Sequence, residues 1–165
     1  MTSGLPILSK IRKNQSMKII TDEKRFAHEI IEEFQDGETI FEEGDVGRDL
    51  YIVQSGEVRI MKKLKDHEIE LARFKKGDFF GDMALLQSIP RYAGAFASGE
   101  TRLLILRPAG FLLKIRRDPT FAFEMLQQMS LRVKVSNDRV FEIVKKFNLP
   151  KDEVQLLISQ LDGSK

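Results

Sequence analysis

The residues in this chain with the most chemistry to offer stand close together: Gly81-Asp82-Met83-Ala84, then Pro90-Arg91-Tyr92-Ala93. Gly81 permits a tight turn and a close backbone approach. Asp82 opens a short helical run, Met83 to Leu86, built from good helix formers. The first N–H groups of a helix have no partner within it, and such an end favours anions, phosphate above all. Pro90 stops the helix and fixes the approach of Arg91, whose guanidinium can add a two-pronged, permanently charged contact to the same anion. Ala93, Gly94 and Ala95 carry almost no side chain, so a ligand could lie against this backbone. Taken residue by residue, the same stretch also fits a plain loop over a β-sheet.

Other chemistries find little support. There are 0 cysteines, which removes disulfides, thiolate metal sites and cysteine nucleophiles together. His28 and His67 lie far apart and read as solvated surface residues rather than metal ligands. Asp45 and Asp49 could be imagined as a catalytic carboxylate pair, but they fall on a turn and next to it. Gly94 to Gly99 is followed by Glu100 where a nucleotide triphosphate loop requires its lysine. The chain is read as a binding protein, not an enzyme, with no metal and no cofactor apart from a bound ligand.

The order of residues narrows the class. Phe80-Gly81-acid-Met83-Ala84-Leu85-Leu86, three residues, then Pro90-Arg91-x-Ala93 resembles the phosphate-binding cassette of the cyclic nucleotide-binding domain family. A second pattern, Phe41-x-x-Gly44-Asp45-x-Gly47-x-x-Leu50-Tyr51-Ile52-Val53-x-x-Gly56-x-Val58, is similar to the family's as well, and its glycines read as β-roll corners. The resemblance covers about residues 29–144. It implies that Arg91 pairs with an exocyclic phosphate oxygen and that the backbone of Met83 and Ala84 donates to the same phosphate. Asp82 stands where the family has a glutamate that accepts from the ribose 2′-hydroxyl, one methylene shorter, and Gly81 would bond near the ribose. Ile60, Leu71, Ala72 and Phe80 would line the purine and ribose walls; plain core is an equally good reading of each. Ser136 and Asn137 match the two small polar residues that reach the adenine amino group. A dimer seam with a polar register-setting residue competes for those two. Tyr92 stands where guanine-preferring members often have threonine, which favours adenine. It could also stack on the base or cover the site.

These residues need a scaffold. Short apolar runs broken by glycine turns point to strands over 29–34, 39–41, 50–53, 57–61, 69–74, 93–97 and 102–106. Ser55-Gly56 and Ser98-Gly99-Glu100 are read as breaks between strands, and Asp66-His67 as a hairpin tip. The C-terminal part reads as helical: 108–115, then a long helix capped by Asp118 with Pro119 at its first position, then 151–161 with Val154, Leu157, Ile158 and Leu161 on one face. Along the long helix Met125, Met129, Val133, Ser136, Val140, Ile143 and Phe147 recur in steps of three and four, a stripe for the sheet or for a second copy. The expected fold is α+β: an antiparallel, jelly-roll-like β-roll of about eight strands, with short N-terminal helices and a long C-terminal helix. The expected divisions are 1–28, a helical or flexible segment; 29–117, the β-roll with its cassette at 79–97; and 118–165, lid and dimerisation helices.

Bulk properties agree with one globular domain. The 165 residues are 42% hydrophobic and 32% charged. No apolar run approaches the ~20 residues needed to span a bilayer, and residues 1–8 lack a secretory core, so a cytoplasmic protein without membrane contact is expected. The net charge of +2 argues against a polycation for nucleic acid. Lys10, Arg12, Lys13, Lys18, Lys24 and Arg25 read as a solvated basic tail. Catabolite activator-type relatives continue past the long helix into a DNA-binding domain, whereas only residues 148–165 follow here, so no DNA partner is expected. The reading is a stand-alone receptor for cyclic AMP, with cyclic GMP as the other ligand considered. It would form a homodimer through the helix 118–146 and signal through its C-terminal helices to an unnamed protein partner. The alternative is a dimeric scaffold whose site takes cyclic GMP, a cyclic dinucleotide or nothing.

Overall fold

The computed structural model describes residues 29–162. The readings on 1–28, including the short helices, the basic tail and His28, lie outside the described residues, as do the side chains of Leu157, Ile158 and Leu161. The elements in order are β1 (Glu29–Phe34), β2 (Thr39–Phe41), β3 (Leu50–Leu64), β4 (His67–Lys75), β5 (Phe79–Phe80), α1 (Asp82–Gln87), β6 (Gly94–Leu106), α2 (Pro108–Arg117), α3 (Pro119–Lys146) and α4 (Lys151–Asp162). The strands form one 6-stranded antiparallel sheet in the order β1-β6-β3-β4, with β2 on β6 and β5 on β3. The fold is an α+β β-roll with a long C-terminal helix.

The two breaks expected within strands turn out to be one corner. β3 runs through Ser55-Gly56 and β6 runs through Ser98-Gly99-Glu100. Ser55 pairs with Arg102 and Glu57 with Ser98, so two steps on β3 face four on β6. Extra residues on one strand bend the ladder without ending it. Gly56 adopts φ 79°, and a Cβ there would stand 2.4 Å from the Glu100 carbonyl. Buried Thr101 closes the corner by donating its hydroxyl to the Glu57 carbonyl at 2.9 Å. Dividing both long strands at this corner gives eight segments, the seven read from the sequence and β5.

Alternation along the strands builds two cores, because successive residues face opposite sides of a sheet. Tyr51, Phe80 and Ile105 join Phe34, Val53, Val58, Ala95, Ala97 and Leu103 inside the roll. Their immediate neighbours Leu50, Phe79 and Leu106 join Leu85, Phe111 and Met125 beneath the helices. Each large apolar side chain so buried contributes ~1.5–3 kcal/mol. The pair Phe79-Phe80 therefore fastens the start of the cassette to both cores at once. Asp118 caps α3 as expected, accepting from the Phe121 N–H at 3.3 Å.

Candidate functional site

β5 delivers the chain to Gly81 with both of its phenylalanines buried. Gly81 then turns left-handed, at φ 83°. A Cβ on Gly81 would stand 2.7 Å from Arg91 Nη1 and 2.8 Å from the Asp49 carbonyl, so the position admits no side chain. The first helical bond of α1 runs from Leu85 N to Gly81 O, at 3.2 Å, which leaves the N–H groups of Asp82, Met83 and Ala84 outside the helix's own ladder. All three residues line a cavity of about 290 Å³, together with Phe41, Ile60, Leu71, Ala72, Phe74, Phe80, Gly81, Arg91, Tyr92, Ala93 and Arg132. That volume sits at the small end of the ~300–1,000 Å³ typical of small-molecule sites.

Arg91 is the unusual residue in this lining. It is 4% exposed. Nη1 donates to the Gly81 carbonyl at 3.1 Å and Nη2 to the Asp49 carbonyl at 2.9 Å. Its guanidinium lies 4.2 Å from the Phe41 ring centroid and 5.4 Å from that of Tyr51. Nε is buried and has no hydrogen-bond partner among the described residues. None of the salt bridges among those residues involves Arg91. A buried cation without a salt-bridge partner is costly, so the arrangement suits an anion. The same enclosure acts on its neighbours: burial pushes the Asp49 carboxyl up and pushes the Tyr51 phenol up to about 12.

Asp82 also lines the cavity, and its partner comes from the long helix. Arg132 Nη1 lies 3.7 Å from Asp82 Oδ1, with the two side chains 31% and 15% exposed. Arg132 Nη2 donates to the Phe79 carbonyl. Its guanidinium lies 4.6 Å from the Phe74 ring centroid and 4.2 Å from that of Phe79, and burial pulls its pKa down. Gln128 donates to the Gly77 carbonyl at 3.3 Å and Arg139 to the Leu71 carbonyl at 3.5 Å. α3 is thus fastened by side chains to carbonyls of β4, of β5 and of the turn between them, the segment that leads into the cassette.

The structure gathers Ile60, Leu71, Ala72, Phe80, Gly81, Asp82, Met83, Ala84, Arg91, Tyr92 and Ala93 around one cavity. It does not bring Ser136 or Asn137 there. Ser136 lines a neighbouring cavity of about 370 Å³, which shares Ala72, Phe74 and Arg132 with the first, and Asn137 is exposed. Ser136 shares the face of Gln128, Arg132 and Arg139 but lies one turn, ~6 Å, beyond Arg132 along the helix, and Asn137 is turned about 100° from it. Sequence reading passed over Phe41, Phe74 and Arg132 as lining residues. Phe74 was visible in principle, two residues after Ala72 on the same strand face. Among the described residues, no group of three acidic, histidine or cysteine side chains is placed to hold a metal. No helix among them is long and apolar enough to cross a membrane.

The family model described as "Cyclic nucleotide-binding domain" matches residues 31–118. The chain belongs to the cyclic nucleotide-binding domain family. Its relatives include the "Cyclic AMP receptor protein" of Thermus thermophilus, 37% identical over 102 residues, or 61% of this chain and 47% of that protein. A "cAMP-dependent protein kinase regulatory subunit" of Pyricularia oryzae is 32% identical over 107 residues, 65% of this chain and 25% of that protein. Among solved structures, the Thermus thermophilus catabolite activator protein superposes with a TM-score of 0.62 at 32% identity, covering 68% of this chain and 54% of that one. The regulatory domain of Toxoplasma gondii protein kinase A with cAMP superposes at 0.52 and 26% identity, covering 64% and 40%. The chain therefore spans about half or less of the length of these relatives.

Proposed function

We propose that the cavity binds a 3′,5′-cyclic nucleotide, cyclic AMP first, and that α3 reports its presence to a protein partner. The observation that carries this reading is the buried guanidinium of Arg91, without a carboxylate partner and beside the opening turn of α1. The phosphate would meet Arg91 and the N–H groups of Met83 and Ala84. Asp82 would accept from the ribose 2′-hydroxyl, and Ile60, Leu71, Ala72 and Phe80 would face the sugar and base. Asp82 is also where Arg132 of α3 arrives, so a ribose that engages this carboxylate alters what holds the helix. The resulting shift is limited to the ligand's differential affinity for the two helix positions. The role is binding and signalling rather than catalysis.

Cyclic AMP is preferred because the Thermus thermophilus and Toxoplasma gondii relatives are named for it. A structure titled "A cyclic-GMP-dependent signalling pathway regulates bacterial phytopathogenesis", 30% identical with a TM-score of 0.53, supports cyclic GMP as the second reading. We extend the proposal to a homodimer through α3, since Val133, Val140, Ile143 and Phe147 of its stripe are exposed. Thermal melts with cyclic AMP, cyclic GMP, a cyclic dinucleotide and linear 5′-AMP test the ligand. At a hundredfold excess over Kd the right ligand adds ~2.7 kcal/mol. Cyclic AMP should raise Tm most and 5′-AMP least. Equal shifts from cyclic and linear phosphates would contradict a site shaped for the cyclic ring.

A further inference from the structure

Lys62 of β3 does not line the cavity, yet its ammonium is bound to the residue that follows Arg91. Nζ donates to Glu43 Oε1 at 2.7 Å and to the Tyr92 carbonyl at 2.6 Å. It also sits 4.2 Å from the centroid of the Tyr92 ring. The anchor behind it is fixed in turn. Glu43 Oε2 accepts from the Lys63 N–H at 3.0 Å, and the Lys62 contact followed by this one holds the Glu43 carboxyl below the usual carboxylate range. The side chains of Lys62 and Glu43 are only 22% and 23% exposed, unlike a free surface pair. The same loop grips the backbone of Arg91: Gly44 N donates to Arg91 O at 2.8 Å, and Arg91 N donates to Asp45 O at 2.9 Å. Arg91 and Tyr92 are thus held by backbone at one and by an ammonium at the other.

The Tyr92 ring has an unusual position. It lines the cavity and is 54% exposed, which places it at the rim. A cation over its face holds it there. We propose that Lys62 is a positioning residue for the nucleotide site, fixing the Tyr92 ring as the wall that a bound base meets at the cavity mouth. The proposal rests on the cyclic nucleotide reading. It assigns base preference partly to a side chain outside the cavity, and it explains why a bulky aromatic is tolerated directly after the arginine. A larger base covers more of a fixed aromatic wall than a smaller one. The wall therefore favours cyclic AMP over cyclic CMP, and it loses that preference when the ring is released.

The test is the ratio of the cyclic AMP and cyclic CMP affinities, measured by calorimetry on the full chain and its variants. Lys62→Met keeps the apolar stem and removes the charge. It should lower the ratio about 3- to 10-fold. Tyr92→Ala should lower it as much, and the double variant should lose no more than either single one. Lys62→Arg should retain most of the preference, and melting curves report whether each variant stays folded. An unchanged ratio in Lys62→Met, or fully additive losses, would overturn the proposal while leaving the site assignment in place. Loss of both ligands by the same factor would also overturn it, since Lys62 would then be acting on the phosphate end. A parent that binds neither nucleotide would overturn the underlying cyclic nucleotide reading instead.

Discussion

Arg91 and Gly81 were legible as cavity residues because residue type alone singles them out. One is a permanent cation. The other must turn left-handed where a Cβ would strike Arg91 and the Asp49 carbonyl. Arg132 was not legible, since its importance comes from where α3 crosses the cassette, and no local pattern encodes that crossing. Ser136 and Asn137 show the same gap in reverse: their types suit a base, but where α3 crosses the sheet leaves Ser136 one turn past the cavity and Asn137 exposed. Burial of Tyr51 leads to a prediction at this scale. Its phenol is pushed up to about 12 by desolvation, against 10.0 in an ordinary setting. Between those values the unfolded chain has released a proton that the folded chain keeps. Stability is therefore undiminished by this group below pH 10 and falls as pH rises, by ~1.4 kcal/mol per unit. An alkaline absorbance titration should show a late tyrosine step near pH 12 that disappears in Tyr51→Phe. A single early step in both proteins would mean that Tyr51 is accessible.

At the scale of elements, strand positions were legible and strand continuity was not. Gly56 and Gly99 look like terminators, yet both sit in the corner where β6 carries the extra residues, and they serve a bend. Pairing between distant segments decided the matter, and a single sequence does not display pairing. The long helix was legible from Asp118-Pro119 onward, since capping is a local device. What holds it down was not. Beyond Met125, Gln128 and Arg132, its exposed face includes Leu131, Val133, Val140 and Ile143. Arg132→Met should therefore loosen α3 selectively. A partly buried charged contact is worth ~1.5–3 kcal/mol, so amide exchange in the helix should quicken by about 10- to 100-fold. Exchange in β3 and β6 should hardly change. Uniform acceleration throughout the protein would show instead that Arg132 supports the global fold.

For the whole molecule, the apolar stripe on α3 poses the question of assembly. Val140 is 56% exposed, Ile143 53% and Phe147 65%. If two copies meet along this stripe, Val140→Asp places like charges against each other in a desolvated seam. The variant should sediment as a monomer at concentrations where the parent is a dimer, and its nucleotide affinity should change, because dimer and ligand act on one helix. A parent that sediments as a monomer at high micromolar concentration would contradict the dimer. The central claim is narrower: Arg91 is the counter-charge of a bound cyclic phosphate. Calorimetric titration of the parent and of Arg91→Ala with cyclic AMP tests it most directly. One nucleotide should bind per chain of the parent. Loss of a charge-assisted, two-pronged contact should weaken the variant by ~2–4 kcal/mol, or about 30- to 1,000-fold. A folded Arg91→Ala protein that binds cyclic AMP as tightly as the parent, or a parent that binds no cyclic nucleotide, would contradict the account.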